Sequence, residues 1–297
     1  MTSSSLVNRS GSPAQENASA EAIGLLPAPD LELSTPGSDQ PSVLPPTTTA
    51  EMRQPWNDQL RRWQSRAIVV SHLLCLFASL LVVVWVHQLG GLSWKEGHSK
   101  QVFNWHPLLM ILAYCFMTVA ALSFRTPLSC GSVGYSRSTI KMVHGSAWAI
   151  AAIFASIALI AVFKSHNDSV SGFIANLYSF HSWLGLGVVG LYFLQFLAGF
   201  FSFAWPLSFV TPSMKAQLLT LHSFFGPFLH MAVAATIMLG IQEKEGFVKC
   251  GYSVDQADYF PLSHLSLIPP ACLVSHSLGI VVFATALLTS FALHTFR

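Results

Sequence analysis

The sequence predicts an all-α membrane protein of six transmembrane helices. Charge scarcity is the first observation behind this. Only 9% of the 297 residues are charged and 52% are hydrophobic, against about 25% charged in an ordinary soluble domain. The second is where the charges are missing. No Asp, Glu, Lys or Arg stands between Arg66 and Lys95, Lys100 and Arg125, Lys141 and Lys164, Asp168 and Lys215, Lys215 and Glu243, or Asp258 and Arg297. Each gap holds an apolar run of about 20 residues, enough to cross about 30 Å of hydrocarbon as a helix. The third is the distribution of the charges that remain, which orients the chain.

The spans are expected at Ala67–Gln88, Trp105–Phe124, Met142–Phe163, Leu177–Phe203, Ala216–Ile241 and Ser266–His294. Arg61, Arg62 and Arg66 precede the first. Arg125, Arg137 and Lys141 lie between the second and third, and Lys215 between the fourth and fifth. The opposite side carries Lys95, Lys100, Lys164, Lys244 and Lys249, balanced by six acids. The positive-inside rule therefore places both termini in the cytosol. Residues 1–60, rich in Ser, Pro, Thr and Ala, read as a disordered cytosolic tail, and residues 61–297 as the membrane domain. The start lacks a charged-then-apolar signal peptide, so the first helix is expected to act as an uncleaved anchor. Within the tail, Glu21-Ala22-Ile23-Gly24-Leu25-Leu26 fits an acidic dileucine sorting pattern, which favours an endosomal or lysosomal membrane over the plasma membrane. Asn8 and Asn17 match the glycosylation sequon on the cytosolic side, where it is unused. Asn167 matches it on the other side, very close to the membrane.

Five cysteines show no CxxC pairing. Cys75, Cys115 and Cys272 read as small apolar helix residues, and Cys130 and Cys250 fall on opposite faces, so neither a disulfide framework nor a zinc site is expected. No internal repeat has a recognisable period.

Twelve histidines accompany 15 basic and 13 acidic residues, and an ionisable group inside a bilayer is a functional candidate. His106 begins the second predicted helix and His181 lies one turn into the fourth; both helices start on the non-cytosolic side, so the two imidazoles share a depth. His144 begins the third and His222 lies in the second turn of the fifth; both start in the cytosol, so these share a depth near the opposite face. Four consecutive helices thus supply two depth-matched pairs, the arrangement that axial ligation of two haem irons in a four-helix bundle requires. Packing histidines placed independently do not account for the depth matching. A di-haem design with both ligands on one helix needs about 13–14 residues between them. His72 and His87 come nearest, but no second helix repeats their spacing. His230 and His276 read as core residues, with a redox or proton role as the alternative, and His72, His87 and His98 carry a weaker signal still.

At these residues the chain resembles the cytochrome b561 family of ascorbate-dependent transmembrane di-haem cytochromes. The matching segments are Gly90-Gly91-Leu92-Ser93-Trp94, Phe103-Asn104-Trp105-His106-Pro107, Lys141-Met142-Val143-His144 and Val162-Phe163-Lys164-Ser165-His166-Asn167. They continue with Asn176-Leu177-Tyr178-Ser179-Phe180-His181-Ser182-Trp183, Leu221-His222 and Gly240-Ile241-Gln242-Glu243-Lys244. The resemblance implies haem b as cofactor, two per chain, held by His106, His144, His181 and His222. It also implies cytosolic ascorbate as donor, ferric chelate or monodehydroascorbate as acceptor, and a homodimer. Where relatives carry arginine seven residues before the fifth-helix histidine, this chain has Lys215, which keeps the charge but loses the bidentate fork. Ascorbate is a monoanion, so Arg125, Arg137, Lys141 and Lys215 are candidates for its site; alternatively they only set topology. His166, Asn167 and Tyr178 are candidates for the acceptor site, with helix capping as the alternative for His166. Rival readings are the same scaffold regenerating lumenal ascorbate, and a haem-free transporter relaying protons through histidines. A nucleic-acid partner is not expected.

Overall fold

The computed structural model describes residues 49–125, 136–205, 207–248, 250 and 268–294, with side chains from residue 57 onward. The tail's sorting motif and first two sequons, and Cys130, lie outside these residues. The elements are α1 (Thr49–Gln88), a short α2 (Ser99–Phe103), α3 (Trp105–Leu122), α4 (Arg137–His166), α5 (Phe180–Gly199) continued by a π-helical turn (Phe200–Ala204), α6 (Pro212–Phe247) and α7 (Pro270–Leu293). Six of these segments are long and apolar enough to span a membrane. Leu73, Leu76, Leu80, Ile153, Ile160, Leu191, Leu194 and Ile280 are among the many large apolar side chains left exposed. In water that would be an unstable surface; in hydrocarbon it is the expected one.

Helix starts fall where a short polar side chain can satisfy an orphan N–H. Ser136 Oγ accepts from Thr139 N at 3.1 Å, Ser179 Oγ from Ser182 N at 3.2 Å and Thr211 Oγ1 from Met214 N at 3.2 Å. These caps set the first turns of α4, α5 and α6. The expected fourth span began at Leu177, but Leu177 has a φ of 54°, a left-handed conformation no helix can absorb. The helix therefore starts after the Ser179 cap.

Among the described residues three apolar clusters form, and two of them hold the centre of the bundle. Trp85, Tyr114, Leu278 and Val282 belong to one that packs α1 and α7 against α3 and α6. Ala151, Met117, Trp148, Tyr192 and Leu229 belong to a second between α3, α4, α5 and α6. The α4 face in contact is mostly alanine (Ala147, Ala151, Ala155, Ala158, Ala161), which lets α3 and α4 approach closely. α5 packs on α6, while α4 and α5 meet at few points. The central four helices are thus two close pairs with space between them.

At the end where α3 begins, connections are tied tightly. Asn104, buried, donates from Nδ2 to Leu89 O (3.3 Å) and Gly91 O (2.9 Å), and Trp105 Nε1 donates to Ser93 O at 3.1 Å. Gly90 and Gly91 have φ of 94° and 76°, values that favour glycine. Asp168 accepts from Gly97 N (2.8 Å), Val170 N (2.9 Å) and Ser171 N (3.1 Å), tying the α4–α5 connection to the α1–α2 loop.

One expectation is corrected here. Cys272 is not a free apolar residue: it forms a disulfide with Cys250. The bond links the end of α6 to the first turn of α7 across 22 residues, and Cys75 and Cys115 stay free and buried. An apolar run around Cys272 hides its pairing, because the bond depends on where α6 delivers Cys250.

Burial raises the Asp168 carboxyl, but hydrogen bonds from the Ser171, Val170 and Gly97 N–H groups outweigh it and hold the group below the usual carboxylate range. The tie is therefore complete above that range and is lost only as pH falls through the lowered value, so mildly acidic pH leaves it intact. Asp168→Ala should speed amide exchange at Gly97, Val170 and Ser171 several-fold at neutral pH without changing exchange in α3 or α4. Unchanged exchange at those three amides would assign the loop's order to other contacts.

Candidate functional site

His106, at the start of α3, faces His181, in the first turn of α5, with ring centroids 6.2 Å apart and planes crossed at 79°. His144, in the second turn of α4, faces His222 of α6 at 6.0 Å and 65°. Both depth-matched pairs read from the sequence are therefore brought together, one near each end of the bundle. Two imidazoles bound trans to one metal by bonds of about 2 Å hold their centroids about 6.4 Å apart, counting half of each ring. Both pairs lie within a few tenths of an ångström of that separation.

The ring nitrogens are arranged for this. His106 Nδ1 bonds Ala158 O at 3.2 Å, His144 Nδ1 bonds Ala120 O at 2.8 Å and His181 Nδ1 bonds Thr236 O at 3.0 Å. A carbonyl only accepts, so Nδ1 carries the proton and Nε2 keeps its lone pair. Ser123 Oγ lies a further 3.4 Å from His144 Nδ1. For His222 the restraint is different: its backbone carbonyl accepts from Gln195 Nε2 at 2.8 Å.

Spacing repeats where sequence does not. Ala120 stands fourteen residues after His106 on α3, and Ala158 fourteen after His144 on α4. Each carbonyl therefore holds the other helix's histidine. Gln195 and Thr236 stand fourteen residues after His181 and His222 on α5 and α6. Eighteen residues after those same histidines come Gly199 and Gly240, and each packs on the other's ring. A Cβ on Gly240 would lie 2.7 Å from His181 Cε1, and one on Gly199 3.1 Å from His222 Cε1. The two ends thus repeat one pattern of spacing, an approximate two-fold relation that exchanges α3 with α4 and α5 with α6.

Among the described residues no cluster of three or more His, Cys, Asp or Glu could hold a metal ion by itself. Paired imidazoles suit a metal that brings its other donors with it, as haem iron does. The cavity that includes His106 and His181 leaves room for a flat macrocycle at that end, and the Gly199–His222 approach repeats the Gly240–His181 contact at the other.

A cavity containing His106 and His181 continues outward to His166, Asn176, Tyr178, Glu243 and Lys244. His166 ends α4, its ring stacked on Phe103 (6.2 Å, 8°) and tilted over Tyr178 (6.5 Å, 31°). Glu243 Oε2 accepts from the α5 cap Ser179 Oγ at 2.9 Å, and Lys244 Nζ lies 4.4 Å from the Phe103 ring centroid. Partial burial and the hydrogen-bonded Glu243 carboxylate push the Tyr178 phenol up to about 12, so it stays a donor at physiological pH. Asn167 caps α4, donating to Phe163 O at 2.8 Å and accepting from Asn176 at 3.4 Å. Phe103, Asn176, Glu243 and Lys244 stand in the segments that carry the family resemblance but were not among the site candidates read from the sequence. The last two sit in a charged cluster at the end of α6 that looked like topological balance.

At the other end, Arg125 follows α3, Arg137 and Lys141 lie in the first turns of α4, and Lys215 in the first turn of α6. The first three are exposed and Lys215 is half-buried. Lys141 is one turn before His144.

Comparison with known proteins gives a consistent picture. The profile of the eukaryotic cytochrome b561 family matches residues 105–248. The chain is 35% identical over 201 residues to the probable ascorbate-specific transmembrane electron transporter 1 of Oryza sativa subsp. japonica, covering 67% of this chain and 82% of that protein. It is 38% identical over 184 residues to the plasma membrane ascorbate-dependent reductase of Rattus norvegicus, covering 61% of each. With transmembrane ascorbate ferrireductase 1 of Arabidopsis thaliana it shares 33% identity over 183 residues, 61% of this chain and 72% of that one.

Gly240→Val should displace the His181 ring and leave the His144–His222 pair in place. Unaltered His181 ring resonances in the NMR spectrum would mean the ring has room that the contact denies.

Proposed function

The chain belongs to the eukaryotic cytochrome b561 family, and on that footing we propose that it carries single electrons across a membrane from cytosolic ascorbate to an acceptor on the other side. The observation that carries this reading is the pair of facing imidazoles at each end, 6.2 and 6.0 Å apart. His106 and His181 would hold one b-type haem and His144 and His222 a second, two per chain. Haem held by paired imidazoles would supply a reversible one-electron carrier.

The chain's own residues govern entry and exit. Arg125, Arg137, Lys141 and Lys215 make the cytosolic rim cationic, which concentrates the ascorbate monoanion beside His144 and His222. Ascorbate gives up one electron and one proton there and leaves as monodehydroascorbate. On the far side, His166, Tyr178 and Glu243 offer an imidazole, a phenol and a carboxylate at the mouth of the outer cavity. An imidazole and a carboxylate can both ligate iron, with the phenol donating a hydrogen bond, and ferric iron takes one electron to become ferrous. Asn167 positions the rim through Asn176. The second reading, reduction of monodehydroascorbate to regenerate lumenal ascorbate, is favoured by Lys244, whose ammonium would attract that anion. The Lys- and Arg-rich rim supports both termini facing the cytosol, the Glu21–Leu26 pattern favours an endosomal or lysosomal membrane over the plasma membrane, and the homodimer is what the family resemblance implies.

Purified protein in liposomes tests this. Ascorbate on the rim side should reduce two haems per chain and, with ferric chelate on the other side, produce ferrous iron. A colourless preparation would instead support the haem-free proton relay. Lys141→Glu should raise the ascorbate concentration for half-maximal reduction, more at low salt than at high. An unchanged concentration dependence would leave Lys141 as a topology residue.

A further inference from the structure

Midway between the two histidine pairs lies an aromatic contact that the proposed electron route has not yet used. Tyr114 of α3 and His230 of α6 are both 1% exposed and stack with centroids 4.9 Å apart and planes 29° from parallel. Tyr114 stands eight residues inward from His106, and His230 eight residues outward from His222. At 1.5 Å per residue each is about 12 Å along its helix from a ligand of opposite ends. Their contact therefore falls at the centre of the gap.

The placement is not dictated by the approximate two-fold relation of the helices. The same step on α4 and α5 carries Ala152 and Val189, so the rings occupy one side only. Both are fixed. Tyr114 OH donates to Val282 O at 3.4 Å. Thr118 directs its one hydroxyl hydrogen at Tyr114 O (3.0 Å), so its Oγ1 accepts from His230 Nε2–H at 3.0 Å. That leaves His230 Nδ1 buried without a hydrogen-bond partner. Leaving such an acceptor unsatisfied costs about 1–3 kcal/mol, which an apolar residue would avoid. Among the described groups around it, the titratable ones are Tyr114, Cys75 and Cys115, none of them charged at neutral pH. Tyr114 also lines the cavity that holds His106 and His181.

We propose that the Tyr114–His230 stack is the conducting bridge between the two haem positions, an inference that rests on the two-haem reading above. Electron tunnelling falls off steeply with distance, and more steeply across a gap than through packed π systems. A stacked ring pair at the midpoint shortens the poorest part of the path, and one electron passes without any bond being made or broken.

The experiment is flash photoreduction of holoprotein in liposomes. A membrane-impermeant flavin present only on the side of Lys141 delivers one electron there, and redistribution between the two haems is followed optically. Haem content, spectra and midpoint potentials are measured for every variant, because altered driving force would mimic altered coupling. His230→Leu and Tyr114→Leu should slow redistribution several-fold at unchanged potentials. His230→Phe and Tyr114→Phe, which keep a ring, should stay close to the unsubstituted protein. If His230 served only to link α3 and α6 through Thr118, His230→Phe would lower thermal stability and none of the four would change the rate. Full-rate redistribution in the Leu variants overturns the bridge, as does equal slowing in the Phe variants. Where His230→Leu fails to assemble, Tyr114→Leu and His230→Phe decide the matter. An unsubstituted protein without two centres would take down the underlying reading and the bridge with it, and its spectrum distinguishes that case.

Discussion

An imidazole buried among apolar helices must place both of its nitrogens, and the rest of this structure follows from how that is done. In His106, His144 and His181 the Nδ1 proton goes to a carbonyl on a neighbouring helix. The carbonyl is already part of a helical ladder and has a second lone pair to offer. This fixes the tautomer, leaves Nε2 its lone pair and sets the height of one helix against the next. Because the receiving carbonyl sits fourteen residues from that helix's own histidine, placing one end registers the other. Two sites at opposite ends are then a consequence of antiparallel neighbours, with no repeated sequence required.

The bilayer shapes what remains. With no water to satisfy backbone groups, the spans must be helical, and irregular backbone is confined to the ends. There the chain ties its connections: Asn104 on the paired glycines, Asp168 across two loops, and the Cys250–Cys272 bond beside α7. These ties hold His106 and the His166–Tyr178 rim in place. The opposite end carries three helix or turn beginnings rich in Lys and Arg and presents charge more than shape. Such a difference between the ends suits a small anion on one side and a positioned acceptor on the other.

Much of this was legible in the chain because the strongest signals are periodic. Charge gaps located all six spans, and the direction in which each helix crosses put His106 level with His181 and His144 level with His222. What sequence could not supply depends on close approach between helices. Gly199 and Gly240 look like any helix glycine until the opposing ring is seen. Cys272 sits in an apolar run that conceals its partner. Glu243 and Lys244 read as balancing charges, although one holds the α5 cap and the other lies on Phe103. His230 was read as core, which its burial supports, but its stack with Tyr114 depends on the register of α3 against α6.

The central claim is that each chain holds two metal centres, each between two histidines. Near-infrared magnetic circular dichroism of the oxidised protein, with haem quantified per chain, tests it most directly, because the charge-transfer band reports axial ligand identity. The account predicts two low-spin ferric centres per chain, both with bis-imidazole ligation. A single centre per chain, a high-spin centre with an open axial position, or a band belonging to any other ligand pair would contradict it.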